Sequence, residues 1–150
     1  MPSALSIKLG DFLYKNAFPV YNILYPVFKR KQDKHEIELL HKNIRKGDIV
    51  LDIGANIGFY TQLLSDLVGE NGKVYAFEPD KKNYSYLQQN TGQLKNVAFF
   101  HKAVSNKTGN LTCIIPIYFF FLIIRMPPKT TLLPPKLNVL PWMILFQTTK

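Results

Sequence analysis

The chain has 150 residues, a length that allows one domain, and a formal net charge of +9. No arginine-rich helix or zinc-ligand spacing accompanies the excess of bases, so neither nucleic acid nor a metal is an expected partner. The lone cysteine, Cys113, excludes an internal disulfide, and the first ten residues lack the apolar core and small-residue cleavage site of a secretory signal, so a reducing, cytoplasmic setting is expected.

Ile7, Leu9, Phe12, Leu13, Phe18, Tyr21, Leu24, Tyr25 and Phe28 form an aromatic-rich helical pattern that Pro19 and Pro26 should interrupt. Lys29-Arg30-Lys31 follows. The segment reads as a helical cap ending in a solvated charge run. The competing reading is a weak membrane-surface contact, or a gate for substrate, with the basic cluster meeting anionic headgroups. Residues 35–43 are a cleaner amphipathic helix, with Ile37, Leu40 and Ile44 inward and His35 and His41 on its polar side. Lys46-Gly47-Asp48 then turns into the first strand.

Residues 49–53 are an apolar run broken once, at Asp52, as expected of a central parallel strand covered on both faces. Gly54 and Gly58 permit a sharp turn and an approach of the backbone to a ligand with no Cβ between. Phe59, Leu63, Leu64 and Leu67 recur at helical spacing, so a helix should begin near Gly58 and pack back on the sheet. A loop from the carboxyl end of a strand into a helix is where open α/β sheets hold ligands. A dinucleotide fingerprint would place glycines at 56 and 59, where the chain has Asn56 and Phe59, and no Gly-Lys-Ser/Thr of a phosphate loop follows. Lys73-Val74-Tyr75-Ala76-Phe77 reads as the second strand and ends in Glu78-Pro79. An acid there, about 20 residues past the glycine loop, can accept both hydroxyls of a ribose.

Asp52-x-Gly54-x-x-x-Gly58 resembles motif I of the class I S-adenosylmethionine (SAM) methyltransferases. Val50-Leu51-Asp52-Ile53-Gly54-Ala55-Asn56-Ile57-Gly58-Phe59-Tyr60-Thr61 is similar to the FkbM family within that class, together with Val74 to Pro79, Asn96-Val97 and Ala103-Val104-Ser105-Asn106-Lys107-Thr108-Gly109. The likeness covers roughly residues 35–112. It implies a Rossmann-like sheet, S-adenosyl-L-methionine as cofactor and a hydroxyl on a sugar or natural-product-like small molecule as methyl acceptor. SAM has a cationic sulfonium and no phosphates, which suits a carboxylate at Asp52 and a bare backbone at Gly54. The resemblance further implies that Asp52, Gly54, Ala55, Asn56, Gly58 and Phe59 shape the cofactor pocket. Glu78 and Pro79 would hold the ribose, and Lys102 and Ala103 would lie beside the adenine. It names no general base.

Asp80 is placed to cap the next helix, whose inward face would be Tyr84 and Leu87. Residues 96–100 read as the third strand, Thr108-Gly109 as a turn, and Leu111 as the start of another strand. Past Cys113 the character changes. The last 37 residues hold six of the ten prolines, four bases, no acid and no glycine. The apolar stretch from Leu111 to Ile124 contains Pro116 and is short of the roughly 20 residues that cross a bilayer. A reading-frame change explains the shift. Trp142-Met143-Ile144 requires the codons TGG-ATG-AT(T/C/A), which one base earlier give Leu, Val or Met followed by Asp-Asp, a segment expected downstream in FkbM-like proteins. The same shift at Cys113-Ile114 gives Leu-Tyr or Leu-His and restores alternation. One base later, the first site meets a stop.

The expected fold class is therefore α/β: the N-terminal half of a Rossmann-like methyltransferase sheet (47–113), preceded by a helical extension (1–46) and followed by an aberrant tail (114–150). The expected function is SAM-dependent O-methylation, with a truncated, non-catalytic remnant as the alternative. Oligomeric state is not legible.

Overall fold

The computed structural model describes residues 4–105, 122–126 and 144–147, and the chain divides into two compact units, Met1–Asn43 and Ile44–Lys150. The expected turn at Thr108-Gly109, the strand start at Leu111 and most of the tail lie outside the described residues.

The first unit is three helices, α1 (Ala4–Asn16), α2 (Phe18–Gln32) and α3 (Lys34–Asn43). The chain breaks at Ala17, whose φ of −142° and ψ of 54° are non-helical, and Pro19 falls in the first turn of α2, where a missing N–H goes unnoticed. Pro26 does not interrupt the pattern as the sequence suggested, because α2 runs through it to Gln32. Contacts on both sides of the proline hold the helix. Tyr21 and Tyr25 stack with centroids 5.1 Å apart, and Lys29 pairs with Asp33 at 2.5 Å with both side chains nearly buried. In α3, Ile37 and Leu40 are half-buried and His35 and His41 exposed, as expected.

The second unit is an α/β sheet. Arg45 to Asp48 form the entry turn, in which the Arg45 amide donates to Asp48 Oδ2 at 2.8 Å and Gly47 adopts a φ of 86°. The elements β1 (Ile49–Ile53), α4 (Phe59–Val68), β2 (Lys73–Phe77), α5 (Lys81–Thr91) and β3 (Val97–Phe100) alternate along the chain. Their strands lie side by side in the order β3-β2-β1, all parallel, with Asp52 opposite Ala76 and Ile53 opposite Phe77. This is the first half of a doubly wound fold. The core is Val50, Leu51, Leu64, Val68, Val74, Ala76, Phe77 and Leu87, all essentially inaccessible, each large side chain stabilising by about 1.5–3 kcal/mol. Phe77 stacks on Phe100 at 4.8 Å, which sets β2 against β3.

The buried face of α4 differs from the expected Phe59-Leu63-Leu64-Leu67 stripe. It is Tyr60, Thr61, Leu64, Ser65 and Val68. Its two aliphatic hydroxyls, on Thr61 and Ser65, are each buried against a specific partner. Thr61 bonds Asp52, while Ser65 donates to Asn96 Oδ1 at 2.6 Å. Asn96 in turn donates to the carbonyls of Ser65 and Gly69, both at 3.0 Å, so one amide joins the end of α4 to the start of β3.

Beyond β3, β4 (Lys102–Ser105) leaves the parallel sheet. A segment of the tail, β5 (Leu122–Met126), pairs antiparallel with β1 on the side away from β2, Leu122 opposite Ile53 and Met126 opposite Ile49. A second tail segment, β6 (Ile144–Gln147), pairs antiparallel with β4.

Candidate cofactor site

The site begins at the carboxyl ends of β1 and β2. Gly54 leaves β1 with a φ of 83°, Asn56 follows at 52°, and Gly58 opens α4 at 98°. Three left-handed residues in five reverse the chain within one turn, closed by the Gly58 amide donating to Ala55 O at 2.9 Å. The loop is fixed from three sides. The Gly54 and Ala55 amides both donate to Phe77 O, at 2.9 and 3.0 Å, and Asn90 of α5 donates its side-chain N–H to Ile57 O at 2.8 Å. The third hold is Glu78, whose Oε2 accepts from the Asn56 amide at 2.8 Å while Oε1 accepts from the Asp80 amide at 2.9 Å.

The two glycines do different work. A Cβ on Gly58 would lie 2.8 Å from Thr91 Cγ2 and 3.1 Å from Leu87 Cδ1. The missing side chain at 58 therefore lets α4 pack against α5, the helix-packing role of a third glycine in a nucleotide loop. Gly54 is half-buried at the end of β1, where its φ of 83° turns the chain out of the strand.

Asp52 and Glu78 are the buried carboxyls here. Asp52 Oδ2 accepts from Thr61 Oγ1 at 2.6 Å, and its Oδ1 has no partner among the described residues. Burial pushes the Asp52 carboxyl up from 3.8 to about 6, against the Thr61 bond that lowers it. Burial also raises Glu78, opposed by the Asp80 and Asn56 amides and helped by the nearby Asp80 and Asp52 charges. A carboxylate has about four lone-pair positions, so each Glu78 oxygen, holding one amide, keeps one position for a ligand hydroxyl.

Asp80 caps α5 as expected, accepting from the Asn83 amide at 2.8 Å. Tyr84 is half-buried and stacks on His101 at 4.9 Å, and His101 Nε2 lies 3.0 Å from Pro79 O. His101 thereby draws the chain that leads into Lys102 and Ala103 toward the Glu78-Pro79 end of β2. Lys102 and Ala103 themselves are the first residues of β4, opposite Gln147 and Phe146. Phe59 is half-buried at the start of α4, its ring against Tyr60. Sequence reading missed Thr61, Asn90 and Thr91, and it took Tyr84 for the inward face of α5 without its stacking on His101. Of the three missed, only Thr61 leaves a trace in the sequence, as the hydroxyl that closes the stretch from Val50 to Thr61.

These features define a nucleotide-type α/β site with a carboxylate in place of the phosphate-binding third of the loop. Residues 52–132 match the family described as the methyltransferase FkbM domain, and the chain belongs to that family. S-adenosyl-L-methionine is the cofactor of such a domain. Over 70 residues the chain is 36% identical to a Saccharolobus solfataricus protein described as "Probable cobalt-precorrin-6B C(15)-methyltransferase (decarboxylating)", covering 45% of this chain and 35% of that one. The chain thus spans about a third of the length of this curated relative. Among solved structures it is similar to a SAM-dependent methyltransferase of Aquifex aeolicus (35% identity, TM-score 0.43, 50% of this chain and 40% of that one). A SAM-dependent O-methyltransferase of Thermotoga maritima is also similar (24% identity, TM-score 0.42, 47% and 27%).

The residues present fit the cofactor. A buried carboxylate with one oxygen unpartnered suits the cationic amino-acid end of SAM, and a second with one free position on each oxygen suits a ribose diol.

Proposed function

We propose that this chain carries the cofactor half of a SAM-dependent methyltransferase acting on a hydroxyl of a sugar or natural-product-like small molecule. The observation that carries the reading is the pair of buried carboxyls flanking the Gly54–Gly58 turn, one with an unpartnered oxygen. When bound, SAM supplies a methyl group made electrophilic by its sulfonium. Asp52 would face the cationic end, Gly54, Ala55 and Asn56 would shape the backbone cradle, and Gly58 with Phe59 would hold the helix behind it. Glu78 would accept the two ribose hydroxyls with Pro79 beside it, and Lys102 and Ala103 would lie toward the adenine. Catalysis in such a site is largely positioning, and a general base on the acceptor side takes the hydroxyl proton. That base is not assigned to a residue.

A second reading rests on β5. A parallel strand beside β1 would deliver the loop after it to the carboxyl edge, where ligands sit. In β5 the polarity is reversed, and Met126, its last residue, lies opposite Ile49 at the other edge. That observation favours a remnant that retains weak SAM binding and no transfer, consistent with the frame change inferred from the codons of residues 113–144, although the family match continues through residue 132.

Titration calorimetry with SAM tests both readings. Under either, binding should weaken in Glu78→Ala by about 30-fold, the worth of about 2 kcal/mol of charge-assisted hydrogen bonding. Absence of binding by the folded wild-type chain, or an affinity untouched by Glu78→Ala, refutes the cofactor assignment. Binding without methyl transfer to any sugar or polyol acceptor supports the remnant. Reading the gene from codon 105 past codon 150 in three frames then tests the frame change, which requires the frame one base earlier to stay open through Leu-Asp-Asp.

A further inference from the structure

Helices α1 and α2 are amphipathic in the inverse sense. The side chains that α2 turns toward its own unit include Tyr21, Asn22, Tyr25 and the buried Lys29. Tyr14 of α1 meets Phe18 and Tyr21 edge-on at 5.7 and 5.3 Å. The outward stripe of α2 is Val20, Ile23, Leu24, Val27 and Phe28, spaced i, i+3, i+4, i+7, i+8, with Ile23 72% and Val27 69% exposed. In α1 the exposed positions include Leu5, Leu9 and Phe12, Leu5 at 77%. A helix pair with its polar side chains inside and its aliphatic ones outside is not arranged for water.

The charges sort in the same way. The exposed positions of the two helices carry Lys8, Lys15, Arg30 and Lys31 and no acid. Asp11 is half-buried, and Asp33 is buried in its pair with Lys29. Lys31 continues the apolar stripe of α2 one turn beyond Phe28. The occupant must therefore be apolar below and anionic at the level of the bases. A second copy facing the same patch would set bases against bases with no acid between them. No helix among the described residues is long and apolar enough to cross a membrane, and α2, at about 22 Å, is of a length to lie along one.

We propose that the outward face of α1 and α2 docks on an anionic lipid surface, the stripe from Val20 to Phe28 at the acyl boundary and the four bases among the headgroups. This assignment is independent of the cofactor site and of residues 106–150.

Flotation of the full chain tests it, with vesicles of phosphatidylcholine alone and of phosphatidylcholine mixed with phosphatidylglycerol. The chain should float with the mixed vesicles and not with the neutral ones, and salt should release it. Arg30→Gln with Lys31→Gln should weaken binding by about 30-fold, near fivefold for each base lost from the surface. Ile23→Glu with Val27→Glu should abolish flotation while leaving the far-ultraviolet circular dichroism unchanged, since both positions are exposed. Should that pair misfold, the Arg30/Lys31 pair decides alone. Failure to float with mixed vesicles, equal binding to both vesicle types, or binding that survives the substitutions overturns the proposal. The last outcome would assign the membrane affinity to the apolar tail. Self-association in light scattering that the Ile23/Val27 pair abolishes, without flotation, overturns it in favour of a second copy.

Discussion

Replacing Asp52 by Asn removes a titrating group from the middle of β1 and so isolates what its burial costs. The wild-type carboxyl has an ordinary value of 3.8 and titrates at about 6 in the folded chain, because desolvation outweighs the Thr61 hydrogen bond. Below the lower value both states hold the proton and nothing is lost. Between the two, the unfolded chain releases a proton that the folded chain keeps. Stability then falls by about 1.4 kcal/mol per pH unit and levels off above the higher value. The whole drop is about 3 kcal/mol. Asp52→Asn has no such slope, so its stability relative to wild type should rise by about 3 kcal/mol from about pH 4 to about pH 7. Glu78, raised chiefly by its own burial, is common to both proteins and cancels except for the smaller part of its shift that the Asp52 charge supplies. Urea unfolding followed by far-ultraviolet circular dichroism across this range measures the difference directly. Parallel pH profiles for the two proteins would refute the assignment of Asp52 as a buried carboxyl whose charge awaits a ligand. The same variant should bind SAM more weakly at neutral pH, and saturating SAM should flatten the wild-type slope.

Thr61→Val deletes the one hydrogen bond that lowers the Asp52 carboxyl, so the wild-type slope should extend to higher pH; an unmoved profile counts against the pairing. Gly58→Ala should cost about 2 kcal/mol, combining a left-handed backbone with contact against Thr91 Cγ2. Adding Thr91→Ser, which removes that methyl, should recover part of it in the unfolding midpoint, whereas strict additivity would show that the α4–α5 contact is not the cause. Asn96→Ala removes the partner of Ser65 Oγ and of the Gly69 carbonyl, while the Ser65 carbonyl keeps the Gly69 amide, and should destabilise by about 2–3 kcal/mol in thermal unfolding, with little change in SAM affinity.

Elements with a clean period were legible in the sequence. The β1 run with its single acid, the turn at Gly54–Gly58, β2 ending in Glu78 and the Asp80 cap all stand where the residues placed them. The face of α4 was misread because Thr61 and Ser65 count as polar in any periodicity, although each is buried by a partner outside the helix, Asp52 of β1 and Asn96 just before β3. Pro26 reads as a break because a proline removes a helix hydrogen bond, and a local rule does not weigh that loss against the i,i+4 pairs Tyr21–Tyr25 and Lys29–Asp33 that flank it. The pairing of β1 with β5 was beyond reach, since the apolar stretch before Ile124 has no alternation to declare a strand, a face or a direction. Within the site, the carboxylates were legible as chemistry. Their holds on Asn56, Asp80 and Thr61 were not, because main-chain amides leave no mark in a sequence and the reach from Thr61 back to Asp52 depends on how α4 sits on β1.

Glu78 has one further consequence. By gripping an amide of the glycine loop with one oxygen and an amide of the β2–α5 turn with the other, it makes two separate loops share one anchor. Their fluctuations are thereby correlated before any ligand arrives, and the configurational freedom that binding would otherwise remove from each is already partly gone. A ligand seated on this carboxylate meets a surface set in advance, and should owe more of its affinity to slow departure than to fast capture.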